Sequence, residues 1–265
     1  MFRLIAHGNL KYFQIDEFSN TGLVKHCFST KKGGISKGEF ESMNLRFNCD
    51  DSQENVIENF RILCNDIGVD YRKLVLSKQV HEDNIFTAEK GDCGNGIVKP
   101  QNLTSADALI TGESGVPLAV FSADCVPVFF LDKRNRVIAL AHSGWKGTVK
   151  RISQKTVEKM RNDFHSHPED IIAAIGPSIG VCHFEVGEDV ADIFRAEFGD
   201  SVIEKHKKYH VNMQKAISQQ LSESGITDKN IICSDICTFC NSDLFFSHRK
   251  TKGRRGVMAA VIELK

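Results

Sequence analysis

Residues 125–142 constrain the fold more than any other segment. Val126-Pro-Val-Phe-Phe-Leu131 and Val137-Ile-Ala-Leu-Ala141 are apolar runs of β type, parted by the charged stretch Asp132-Lys-Arg-Asn-Arg136. Two such runs around a polar turn fold back as a hairpin. A hairpin turning between Lys133 and Arg134 sets Cys125 opposite His142. A thiolate and an imidazole held together on rigid strands are half of a transition-metal site.

The rest of the chain alternates strands and helices. Residues 23–29, 74–77, 85–88, 107–111, 118–122, 171–175, 231–234 and 257–262 read as strands. Residues 55–68, 150–164, 188–198 and 212–223 read as helices. The first helix shows an apolar stripe, Val56, Ile57, Phe60, Leu63 and Cys64, that stops at Gly68. Residues 144–147 read as a turn ahead of the second helix. Short turns join many neighbouring strands, and hairpins cannot be parallel pairs, so the expected class is α/β with a mixed, α+β-like sheet. With no repeat, low-complexity tract or linker, we expect a single domain spanning 1–265.

Lys+Arg and Asp+Glu each number 34, so the net charge is zero, which points away from nucleic-acid and acidic-membrane partners. The N-terminus lacks a signal-peptide apolar region and no apolar run reaches 18 residues. Nine scattered cysteines then read as reduced thiols of a cytoplasmic protein. The sequence is compatible with either a monomer or a homodimer.

Further residues carry chemistry. His81, in a polar turn between two strands, is the third candidate metal ligand. Two imidazoles and one thiolate leave a fourth position open, the pattern of catalytic rather than structural zinc. Cys233, Cys237 and Cys240 have the bare spacing of a cluster-binding run, yet read better as mostly buried thiols at a strand end. Arg249–Arg255 places five cations within seven residues, a group suited to an anion such as phosphate. Residues 176–187 form a glycine-punctuated loop offering Ser178, Cys182, His183 and Glu185.

Several motifs resemble those of one family. They are Gln79-Val-His81, Asp124-Cys125-Val-Pro-Val, Ala141-His142-Ser-Gly-Trp-Lys-Gly147, Gly176-Pro-Ser-Ile-Gly180 with Phe184-Glu185-Val-Gly187, and Cys237-Thr238 with Phe245-Phe-Ser247 and Arg249. The chain is identified from them, from about Phe28 onward, as similar to the YfiH family. That family is also labelled multicopper polyphenol oxidoreductase, laccase-domain protein or peptidoglycan editing factor. The resemblance implies a layered sandwich of mixed sheet with flanking helices. It implies that His81, Cys125 and His142 bind Zn²⁺ and act in catalysis. It further implies phosphorolysis of adenosine, inosine, guanosine and S-methyl-5′-thioadenosine, and deamination of adenosine. Asn44, Lys31, Arg249 and Glu185 are the expected contacts to nucleoside or phosphate, with Asp124 supporting a metal ligand from behind. The alternatives are a copper-dependent polyphenol oxidase and a non-enzymatic, zinc-stabilised binding module or cell-wall precursor editing factor. Arg61 stands one position from the family's usual arginine, a turn of about 100° on a helix.

Overall fold

The computed structural model describes residues 1–265. Its frame is two six-stranded mixed sheets. The first runs, in spatial order, Phe2–His7, Leu10–Ile15, Val24–Ser29, Met258–Leu264, Leu118–Ser122 and Val75–Leu76. The second runs Ile231–Cys233, Ile171–Ile175, Val126–Asp132, Val137–Ser143, Ala108–Thr111 and Ile85–Thr87. Each is antiparallel except for parallel pairs at its edges. A small antiparallel sheet joins Glu185–Val186, Tyr209–Val211 and Ile203–Lys205.

Strand alternation explains the layering. Phe129 and Leu131 point to one side and pack with Phe28, Leu118, Val120, Ala260 and Ile262 of the first sheet. Val126, Val128 and Phe130 point to the other side and pack with Met160, Phe194, Ile217 and Leu221. The outer face of the first sheet is covered by helix Gln53–Ile67 through Val56, Phe60, Leu63 and Cys64. The order is helix, sheet, sheet, helices. The central hairpin is buried on both faces, which is why its strands are continuously apolar.

Helix Gln53–Ile67 begins where the Ser52 hydroxyl accepts from the Asn55 N–H, and ends at Gly68 with φ 75°. Residues 144–147, expected as a turn, instead open a short helix, Trp145–Val149. Arg151, at φ 60°, separates it from Ile152–Phe164. No helix is long and apolar enough to cross a membrane.

The hairpin register differs from the expected one. Asp132 pairs with Val137 and Pro127 with His142. The Asp132 carboxylate accepts from the Arg134 and Asn135 N–H groups and builds an Asx turn that shifts the fold-back point along the chain. Cys125 therefore lies one step beyond the last pair, Val126 with Ser143, and meets His142 diagonally.

His26 is a buried imidazole whose Nε2 accepts from the Ile15 N–H at 2.8 Å. Its proton consequently sits on Nδ1, which has no partner. Burial lowers its pKa from 6.5 to about 4. Between these values the unfolded chain binds the extra proton, so stability is full above about pH 6.5 and falls as pH drops toward 4. The loss attributable to this residue is about 3 kcal/mol. His26→Gln, which retains an acceptor, is expected to flatten that limb in urea titrations between pH 7 and 4. An equally steep limb in the variant would assign the effect elsewhere.

Candidate metal centre and substrate cleft

His81, Cys125 and His142 come from three segments, yet their ligand atoms all lie within 4.8 Å of one another. His142 ends a central strand and is buried. Cys125 follows the tight turn at Asp124, whose φ is 92°. His81 is exposed on a loop, with φ 63°. Gly144 completes the cradle: a Cβ there would stand 3.1 Å from His81 Cδ2 and 3.3 Å from Cys125 Sγ. The space between the ligands exists because residue 144 has no side chain.

One carboxylate organises the centre. Asp107, fully buried, precedes strand Ala108–Thr111. It accepts from the backbone N–H groups of Val80, His81 and Glu82, each at 3.0 Å. The left-handed conformation of His81 turns these three successive donors onto one anion. Asp107 Oδ1 also lies 2.9 Å from His142 Nδ1. That bond takes the Nδ1 proton and leaves Nε2 free as a ligand.

The electrostatics without metal are those of an ion pair. Burial raises the Cys125 pKa, but the His142 charge and hydrogen bonds from His142 and His81 reverse this and bring it down to about 6. Burial lowers that of His142, while Cys125 and Asp107 raise it to about 9. Burial raises the pKa of Asp107, and the His142 and backbone hydrogen bonds outweigh it, for a net lowering. A thiolate and two imidazoles fit zinc, and His₂Cys is equally a copper donor set.

A cleft of about 390 Å³ opens beside the triad, a size suited to a small molecule. Trp145, Ile179, Phe184 and Met213 supply apolar walls; His248, Arg249 and Arg255 supply polar ones. Arg255 Nε is buried with no partner. Its Nη2 reaches His248 Nδ1 at 3.3 Å. Burial and the neighbouring Arg46 lower the Arg255 pKa, and burial and Arg255 lower that of His248.

Residues 25–265 match the model of a family described as multi-copper polyphenol oxidoreductase laccase. The chain belongs to this family. Purine nucleoside phosphorylase YlmD of Bacillus subtilis is 33% identical over 243 residues, covering 90% of this chain and 87% of the relative. The protein of the same name from Geobacillus stearothermophilus is 36% identical over 243 residues, covering 88% of each. The crystal structure of the Bacillus licheniformis hypothetical protein YfiH superposes with a TM-score of 0.92 at 33% identity, covering 100% of this chain and 99% of that one. This laccase-like, YfiH-type fold is thus the mixed α/β sandwich that the motifs imply.

The expected substrate contacts of this laccase-like chain are dispersed. Arg249 lines the cleft, and its guanidinium donates to the Glu185 carbonyl at 2.9 Å and sits 5.6 Å from the Phe184 ring. Glu185 does not line it; its carboxylate pairs with Lys208 at the surface. Asn44 is fully buried, its amide spent on Asp51, Arg46 and Val257. Lys31 opens into a different cavity of about 340 Å³ with Lys32, Lys250 and Arg254. Arg61 pairs with Glu58 on the exposed face of its helix. The Asp124 carboxylate bonds neither histidine. It accepts from Thr238 Oγ1 at 2.6 Å, Ser247 Oγ at 3.1 Å and the Arg249 N–H at 2.7 Å, tying the arginine loop to the Cys125 turn. The carboxylate behind the candidate ligands is Asp107, which a lone acid at a strand start does not announce. Arg255 was signalled only as one cation of a basic run.

Asp107→Asn is expected to weaken zinc binding about 10- to 100-fold by competition titration. Gly144→Ala is expected to do so at least as strongly with an unchanged far-UV spectrum. Wild-type affinity in both variants would overturn this account of the centre.

Proposed function

We propose that the chain is a zinc-dependent purine nucleoside phosphorylase. The observation that carries this reading is the convergence of His81, Cys125 and His142 beside a cleft with apolar walls on one side and Arg249 and Arg255 on another. The names of its relatives support it. His81, Cys125 and His142 would hold the ion. When bound, the metal supplies a Lewis acid in the cleft.

The chain's own residues supply the rest. Trp145 and Phe184 line the cleft, and their aromatic surface would pack against a purine without selecting among adenine, guanine and hypoxanthine. The buried Arg255 Nε is an unspent donor for an anion, here inorganic phosphate. A phosphate oxygen attacks C1′, the bond from C1′ to the purine nitrogen breaks, and ribose 1-phosphate forms. The departing purine gains negative charge and needs a proton. His248 accepts from Arg255 at Nδ1 and so carries its own proton on Nε2, from which it can donate to the base. We extend the proposal to adenosine, inosine, guanosine and S-methyl-5′-thioadenosine as phosphorolysis substrates. Attack by water at C6 of adenosine, with loss of ammonia, would be a second activity of the same cleft.

Incubation with these nucleosides, with and without phosphate, should give free base only when phosphate is present. Inosine from adenosine without phosphate is the deaminase signature. Cys125→Ala should lose the metal of this centre and turnover together. Arg255→Ala should raise the KM for phosphate about 10- to 100-fold, the value of a buried charge-assisted hydrogen bond. Full phosphorolysis by Cys125→Ala with this centre empty would falsify the proposal. Phenol oxidation by the copper-loaded protein without phosphorolysis would select the oxidase reading.

A further inference from the structure

A second constellation lies outside the described centre. Of the three cysteines at 233, 237 and 240, Cys233 stands apart and donates to Gln214 Oε1 at 3.1 Å. Cys237 and Cys240 are met instead by Cys182 and His183, from the glycine-punctuated loop. The four ligand atoms all lie within 4.8 Å of one another. Where mostly buried thiols are expected at 233, 237 and 240, Cys237 is buried, Cys233 half-buried and Cys240 exposed; Cys182 is exposed too.

We infer that Cys182, His183, Cys237 and Cys240 form a second, structural zinc site. The donor set is three thiolates and one imidazole, built on a Cys-X-X-Cys turn and a Cys-His pair. Four protein ligands close the coordination shell, which is the structural pattern.

The distances match a tetrahedron around one ion. With ordinary zinc–sulfur and zinc–nitrogen bonds, its edges are about 3.8 Å between sulfurs and about 3.5 Å between sulfur and nitrogen. Here Cys182 Sγ to Cys240 Sγ is 3.7 Å. His183 Nδ1 lies 3.2 Å from Cys182 Sγ and 3.3 Å from Cys240 Sγ. A disulfide would need about 2.05 Å, and would leave Cys237 and His183 without a role.

The surroundings are built for the same purpose. The Gly180 N–H donates to Cys237 Sγ at 3.2 Å, a bond that favours a thiolate. A Cβ on Gly180 would stand 3.1 Å from Cys237 Cβ and 3.3 Å from Cys182 Sγ, so the two loops close only around a glycine. The His183 ring stacks on Phe239, with centroids 3.9 Å apart, which fixes its orientation. Zinc uptake by three thiols and an imidazole releases three protons and leaves a centre of one net negative charge. Two cations compensate: the Arg249 guanidinium reaches the His183 carbonyl at 3.4 Å, and Lys250 Nζ reaches the Phe239 carbonyl at 3.3 Å.

The consequence is positional. The ion would join the loop carrying Ile179 and Phe184 to the loop carrying Thr238, which holds Asp124 beside Cys125. One wall of the cleft would then be stapled to the turn that bears a ligand of the first centre.

Zinc content after exhaustive dialysis against metal-free buffer tests this. Wild type prepared with zinc should hold one equivalent more than Cys237→Ser/Cys240→Ser. Cys125→Ala, which keeps the second site intact, should take up one equivalent of cobalt(II) and show thiolate-to-cobalt charge-transfer absorption. This arm does not depend on the double variant folding. It also separates the two sites: failure of the first centre alone leaves the cobalt band of Cys125→Ala in place. Unchanged zinc in the double variant, or a Cys125→Ala protein without the band, overturns the inference.

Discussion

The Asp107 carboxylate is the interaction on which the centre depends. It gathers three backbone donors from one loop and a ring nitrogen from the neighbouring strand of the sheet. A buried carboxylate without partners would cost several kcal/mol. Here four donors satisfy it, and in doing so they hold His81 in a left-handed conformation that an isolated histidine avoids. The loop that carries His81 is therefore set by the protein's own hydrogen bonds. The same bond settles which nitrogen of His142 faces the other ligands.

The sandwich makes such precision possible. The central hairpin is packed against a sheet on one side and helices on the other, so His142 at the end of one strand and Cys125 just before the other are held by a backbone buried on both faces. Variable chemistry is left to the loops at its end: residues 176–187, 233–241 and 247–255. Asp124 knots the last two to the Cys125 turn. Active sites placed on loops but braced by a rigid scaffold are a general outcome of this division.

Much of this was legible in the sequence because it rests on local periodicity. The apolar runs at 126–131 and 137–141, the stripe of Val56, Phe60 and Leu63, and the terminator Gly68 each announce their element. The hairpin register was not, because the Asp132 side chain recentres the turn. The edge hairpin Phe2–Ile15 and the short, half-exposed strands Glu185–Val186, Ile203–Lys205 and Tyr209–Val211 lack the long apolar runs that mark the central strands. The triad could be guessed from a hairpin and a turn histidine. Its support from Asp107 and the meeting of Cys182 with Cys240, 58 residues apart, arise only from tertiary packing. Asn44 shows the converse: a polar residue in a suggestive motif whose amide is consumed in holding the backbone together.

The three candidate ligands of the first centre are not equally anchored. His142 ends a strand of the central sheet, and Cys125 stands one residue before the strand that pairs with it. The third, His81, is exposed on a loop. On the proposed reading, an ion held this way would have a hinged door: it would enter and leave when the His81 arm swings, with the sandwich intact behind it. Exchange of a bound metal would then be a matter of local loop opening, faster than global unfolding and separable from it.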